Sequence, residues 1–113
     1  MQQRRIRRIN ELLRKNIGEI ICEGRLKSEF AGLITITNVN VSPDLSYGRV
    51  NFTVIGAEED AALAYLNYSR HEIIAQLAQK VKLRIMPKLQ FFIDENLKRA
   101  NRIEELIREI NRE

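Results

Sequence analysis

Residues 33–55 read LITITNVNVSPDLSYGRVNFTVI, two β-branched runs around a turn. The first run, 33–42, is rich in side chains that suit a pleated, half-buried surface. Its faces do not alternate cleanly, because Ile34 and Ile36 share one parity while Val39 and Val41 share the other. A bulge or strong twist near Thr37–Asn38 is expected, since one extra residue resets a period of two. Ser42-Pro43-Asp44-Leu45-Ser46 supplies turn chemistry. The second run, 48–55, puts Val50, Phe52 and Val54 on one face. Two adjacent strands with a short turn between them predict an antiparallel hairpin.

Upstream of the hairpin, residues 4–24 carry Ile6, Ile9, Leu13, Ile17, Ile20 and Ile21 at helical spacing, with Gly24 as the stop. Gly18 lies inside this helix at a cost of about 1 kcal/mol relative to Ala, so a close packing contact is expected there. A polar connection runs from Arg25 to Gly32. Downstream, residues 57–82 are helical, with Leu63, Leu66, Ile73, Leu77 and Val81 as the buried stripe. Asn67–His71 is poor helix material, so two helices with a kink at Ser69, Arg70 and His71 fit better than one rod. Pro87 separates them from a third strand over 89–94, and a last amphipathic helix is expected over 97–111, its apolar side Ile103, Leu106, Ile107 and Ile110.

The order αββααβ predicts an α+β fold with a three-stranded sheet covered by helices on one face. That is the type II KH-like arrangement, here a single domain over residues 1–113 with the C-terminal helix as an extension. The 113 residues, 44% hydrophobic and 30% charged, fit one soluble domain and exclude a disordered chain. A lone Cys22 and a lone His71 allow neither an intrachain disulfide nor a zinc cluster, so no metal or cofactor is expected. The opening MQQRRIRRIN is too charged for a signal peptide, and no run has the length of a membrane span. A cytoplasmic monomer without a membrane partner follows as the default.

The net charge of +4 is unevenly placed. Residues 1–27 hold eight Lys/Arg against three Glu, and residues 79–93 hold Lys80, Lys82, Arg84 and Lys88 with no acid. Local cationic excess points to a polyanionic partner. Arg4, Arg5, Arg7 and Arg8, together with Lys80, Lys82, Arg84 and Lys88, are therefore the candidate nucleic-acid contacts. The plain alternative is a solvated basic face, with Lys80 and Lys82 complementing the negative end of a helix. Phe52, Phe91 and Phe92 lie in strands, where core packing is the simpler reading.

Catalytic motifs are missing: no phosphate loop, no nucleophile elbow, no Cys–His pairing at a family spacing. Glu58-Glu59 and Glu104-Glu105 read as wet helix faces, His71 as structural or solvated, and Cys22 as a small buried side chain. Neither an enzyme nor a small-molecule substrate is expected. A KH domain normally grips unpaired nucleotides with a GXXG loop, and this chain has Ser69-Arg70-His71 at the corresponding junction. Without glycines the backbone cannot approach phosphates closely, which favours side-chain charge and a large structured RNA.

Two passages carry a resemblance. Val41-Ser42-Pro43-Asp44-Leu45-Ser46-Tyr47 and Leu83-Arg84-Ile85-Met86-Pro87-Lys88-Leu89-Gln90-Phe91-Phe92-Ile93-Asp94 resemble motifs of ribosome-binding factor A, a bacterial assembly-factor family of the small ribosomal subunit. Arg5 and Arg8 match its opening arginine pair, and Arg102-Ile103 with Leu106-Ile107 match its ending. The chain departs from the family at Ser28-Glu29-Phe30 (usually Asp-Pro-Arg), at Ser69-Arg70-His71 (usually Ala-x-Gly), at Ile74 (commonly Arg) and at Gly48 (usually Ala). The missing arginines weaken any contact they would have made.

The resemblance implies a non-catalytic factor that binds the free small (30S) subunit and its rRNA. It would assist late maturation of 16S rRNA, including precursor-end processing, most importantly at low temperature. An alternative of another class is a basic protein–protein adaptor that docks a partner through its C-terminal amphipathic helix. A concealed carboxylate enzyme is a third.

Overall fold

Thr37 reconciles the two halves of the first strand. In the computed structural model, which describes residues 2–24 and 26–96, Ile36 pairs with Phe52 and Asn38 with Asn51, so Thr37 is the extra residue of a bulge. Ile34, Ile36, Val39 and Val41 are all buried as a result, despite their opposite parities. The Thr37 hydroxyl bonds to the Asn51 carbonyl (3.2 Å) and the Asp94 carboxylate (2.5 Å), which ties the bulge across the sheet.

The elements are α1 (Gln2–Cys22), β1 (Leu33–Val41), β2 (Tyr47–Ile55), α2 (Glu59–Tyr68), α3 (Arg70–Lys80) and β3 (Lys88–Ile93). This is the expected order αββααβ. The helix expected over 97–111 lies outside the described residues, as do Glu104, Glu105 and the Arg102–Ile107 match. The sheet runs β1-β2-β3, with β1 antiparallel to β2 and β2 parallel to β3. Parallel neighbours need a long crossover, and α2 with α3 provides it.

Helices cover one face. Ile9, Leu13, Ile17 and Ile20 of α1 meet Val50 and Phe52 of the sheet, Leu66 of α2, Ile73 and Leu77 of α3, and Leu89 and Phe91 of β3 in one buried cluster. Each such side chain contributes about 1.5–3 kcal/mol by leaving water. The strands alternate buried with exposed or half-buried residues, so among the described residues the second face of the sheet is open.

Gly24, with φ +65°, ends α1 in the left-handed conformation that glycine tolerates. Two expectations for α1 fail. A Cβ at Gly18 would meet nothing within 4 Å, so no close contact explains this glycine. Cys22 is exposed, not buried, because it lies past Ile20, the last fully buried residue of the stripe, with its Sγ 3.9 Å from the Ile34 carbonyl oxygen. The chain beyond α1 is anchored at two points: the Lys27 amide donates to the Glu72 carboxylate (2.7 Å), and the Tyr65 hydroxyl donates to the Ser28 carbonyl (2.7 Å).

The helix break falls at Ser69. It is buried, caps α2 and starts α3, donating its amide to the Tyr65 carbonyl and accepting from the Ile73 amide. Arg70 donates to Asn67 Oδ1 across the break (2.5 Å), and His71 is exposed.

Candidate nucleic-acid interface

Arginines at the start of a helix oppose its dipole, whose N-terminal end is partly positive. The first turn of α1 has no acid, and Arg4, Arg5, Arg7 and Arg8 are all exposed in its first two turns. Neither helix electrostatics nor burial accounts for them, and none is paired with an acid among the described residues. A cluster placed this way raises the local positive potential for an anion outside the chain.

The tertiary structure puts other parts beside this cluster. Arg5 shares a small cleft with Ile6, Ile9, Pro43, Asp44 and Leu45, so the N-terminal half of α1 abuts the hairpin turn. Asn10 Oδ1 accepts from the Val41 amide (2.9 Å), fixing α1 to the end of β1. On the other side of the turn, the Lys88 amide donates to the Ser46 carbonyl (3.1 Å), which brings the start of β3 to the same end.

The turn itself is rigidly bonded. Asp44 Oδ1 accepts from the hydroxyls of Ser42 (2.7 Å) and Ser46 (2.8 Å) and from the Ser46 amide (3.1 Å). The Ser42 hydroxyl foremost, then those bonds from Ser46, hold the Asp44 carboxyl down at about 2. It is therefore an anion at any physiological pH, in the same cleft as Arg5.

The eight basic candidates do not form one patch. Lys82 and Arg84 are exposed in the 81–87 connection, and Lys88 is exposed at the first position of β3. Lys80 is different: from the last turn of α3 its ammonium lies 3.6 Å from the carboxylate of Glu19 in α1. Glu19 is about 20 Å along α1 from Arg5 at 1.5 Å per residue. Lys80 thus serves the α1–α3 contact and the negative end of α3, while Arg5 and Lys88 face one end of the molecule. Ser69, Arg70 and His71 shape the α2–α3 break and supply no glycine cradle for a phosphate.

Sequence reasoning missed Arg49, and it assigned Phe92 to the core. Arg49 is exposed in the middle strand with its guanidinium carbon 4.0 Å from the centre of the Phe92 ring. Phe92 is half-buried on the open face, whereas Phe52 and Phe91 are buried as expected. The signal was available, because consecutive Phe91 and Phe92 cannot both point to the one covered face of a strand.

Among the described residues, no three His, Cys, Asp or Glu side chains group to hold a metal, and no helix is long and apolar enough to cross a membrane.

Helices α1, α2 and α3 on one face of a mixed sheet, in the order αββααβ, define the type II KH-like class. Residues 5–107 match the family model described as ribosome-binding factor A. The chain is 40% identical over 111 residues to ribosome-binding factor A of Macrococcus caseolyticus, covering 96% of each chain. To that of Nitrosococcus oceani it is 38% identical over 105 residues, covering 91% of this chain and 82% of the other. The crystal structure of ribosome-binding factor A from Thermus thermophilus superposes with a TM-score of 0.68 at 27% identity, covering 78% of this chain and 94% of that one. A Thermus thermophilus homology model fitted into the cryo-EM map of a 30S–ribosome-binding factor A complex superposes at 0.58 and 30% identity, covering 72% and 86%. The chain belongs to the ribosome-binding factor A family.

Proposed function

We propose that this protein binds the free small ribosomal subunit through its rRNA and assists late maturation of 16S rRNA, including processing of the precursor end, without performing catalysis. Membership of the ribosome-binding factor A family over residues 5–107 carries this reading, and the exposed arginines of α1 supply its physical means. Arg4, Arg5, Arg7 and Arg8 neutralise phosphates and release counterions, with Lys82, Arg84 and Lys88 extending the contact. A bound protein shifts an RNA equilibrium only by its differential affinity for two conformers. This factor would thus hold one rRNA conformation until maturation makes that conformation stable or a later factor displaces the protein.

The test is co-sedimentation of the purified chain with free small subunits, large subunits and whole ribosomes at two salt concentrations. Selective pelleting with free small subunits, weakened by salt and by Arg5→Glu with Arg8→Glu, is the expected result. Equal pelleting with all three particles would reduce the protein to a generic basic RNA binder. A folded protein that pelleted with none would remove the reading.

A further inference from the structure

We propose that the open face of the sheet is a second RNA contact, a stacking platform for unpaired nucleotides centred on Arg49 and Phe92. The proposal deepens the reading above and rests on it for the source of the RNA, but its chemistry stands on the sheet itself.

Strand register brings the relevant residues together. Arg49 lies between Asn40 of β1 and Gln90 of β3, Tyr47 lies beside Lys88, and Asn51 beside Phe92. The Arg49 guanidinium sits over the Phe92 ring at 4.0 Å, and its Nε donates to Asn51 Oδ1 at 3.2 Å. The Tyr47 hydroxyl donates to Gln90 Oε1 at 3.1 Å. These contacts order flat groups on an exposed surface, and the Arg49 guanidinium, backed by the Phe92 ring, is the kind of plane that an unpaired base stacks upon. The amides of Asn40, Asn51 and Gln90 carry donors and acceptors suited to base edges.

Charge selects the occupant. Arg49 and Lys88 are the charged side chains of these rows, and both are cations. Asp94, the acid two residues beyond Phe92, borders the patch on the side away from Lys88, where its carboxylate is bonded to the Thr37 hydroxyl beside Asn51. The exposed apolar residues of the strands, Leu33 and Ile55, pair with each other at the end of the hairpin away from its turn. A polar, cationic and aromatic patch suits nucleotides better than an apolar protein surface. Unpaired RNA is favoured over duplex because a duplex keeps its base faces stacked inside.

The probes are a fluorescein-labelled short oligouridylate and an RNA hairpin with a fully paired stem. Arg49→Gln combined with Phe92→Leu removes the cation and the ring while keeping an apolar side chain at 92. The double variant should bind oligouridylate about tenfold more weakly and the hairpin as before. Unchanged oligouridylate affinity, or equal loss for both RNAs, would overturn the platform. In the wild-type chain, the Arg49 side-chain N–H and the Gln90 and Asn51 amide resonances should shift on adding oligouridylate. Silence at these groups overturns the proposal even if the double variant does not fold. Normal pelleting with small subunits alongside a silent sheet would remove the platform alone. Shifts at the sheet without any small-subunit binding would instead remove the proposed function.

Discussion

Leu45 adopts a φ of 61°, a conformation that ordinary L side chains avoid and glycine accepts. It is held there because its side chain is partly buried against the core beside Ile6 and Ile9. Asn10 plays a complementary part by accepting from the Val41 amide at the edge of the sheet. Asn10→Leu would leave that amide unpaired and should cost about 1–2 kcal/mol in urea unfolding. Asn10→Asp, which keeps an acceptor, should recover most of the loss, and equal loss in both variants would count against the bond. Gly18 invites the opposite change. With nothing within 4 Å of a Cβ, Gly18→Ala should stabilise the protein by about 0.5–1 kcal/mol. A thermal midpoint that fell would show that the space is needed.

At the level of elements, the 42–46 turn is stapled by a single carboxylate. The folded-state pKa of Asp44 lies at about 2, below its ordinary 3.8, so the ionised form favours the native state. That contribution is complete above roughly pH 4 and is lost as pH falls through about 2. Unfolding measured across this range should therefore show a pH-dependent component in the wild type that is missing in Asp44→Asn, and identical profiles would refute the staple. The turn, the bulge at Thr37 and the break near Ser69 were all legible in the sequence, because each rests on local chemistry: turn formers, a parity slip and weak helix formers. The partners of the residues after α1 were not. The Ser28 carbonyl meets the Tyr65 hydroxyl, and the Phe30 ring lies 5.0 Å from the Tyr65 ring. No local pattern announces a contact across so much chain.

Across the whole molecule, the basic residues divide by what they touch. If Arg5 meets a phosphate and Lys80 serves Glu19, small-subunit affinity should respond differently to the two changes. Arg5→Gln should reduce the slope of log affinity against log salt by about 0.7–0.9, whereas Lys80→Gln should leave the slope unchanged. A change of slope with Lys80→Gln would place that ammonium on the RNA. Sequence by itself determined the element order, the hairpin, most of the core and the cationic start of α1, because periodicity and charge are properties of neighbouring residues. Only the tertiary structure decided that Arg5, the 42–46 turn and Lys88 share one end, that Lys80 is engaged, that Gly18 faces free space and that Arg49 covers Phe92. Those outcomes depend on strand order and on which sheet face the helices cover, and both are set by packing between segments far apart in the chain.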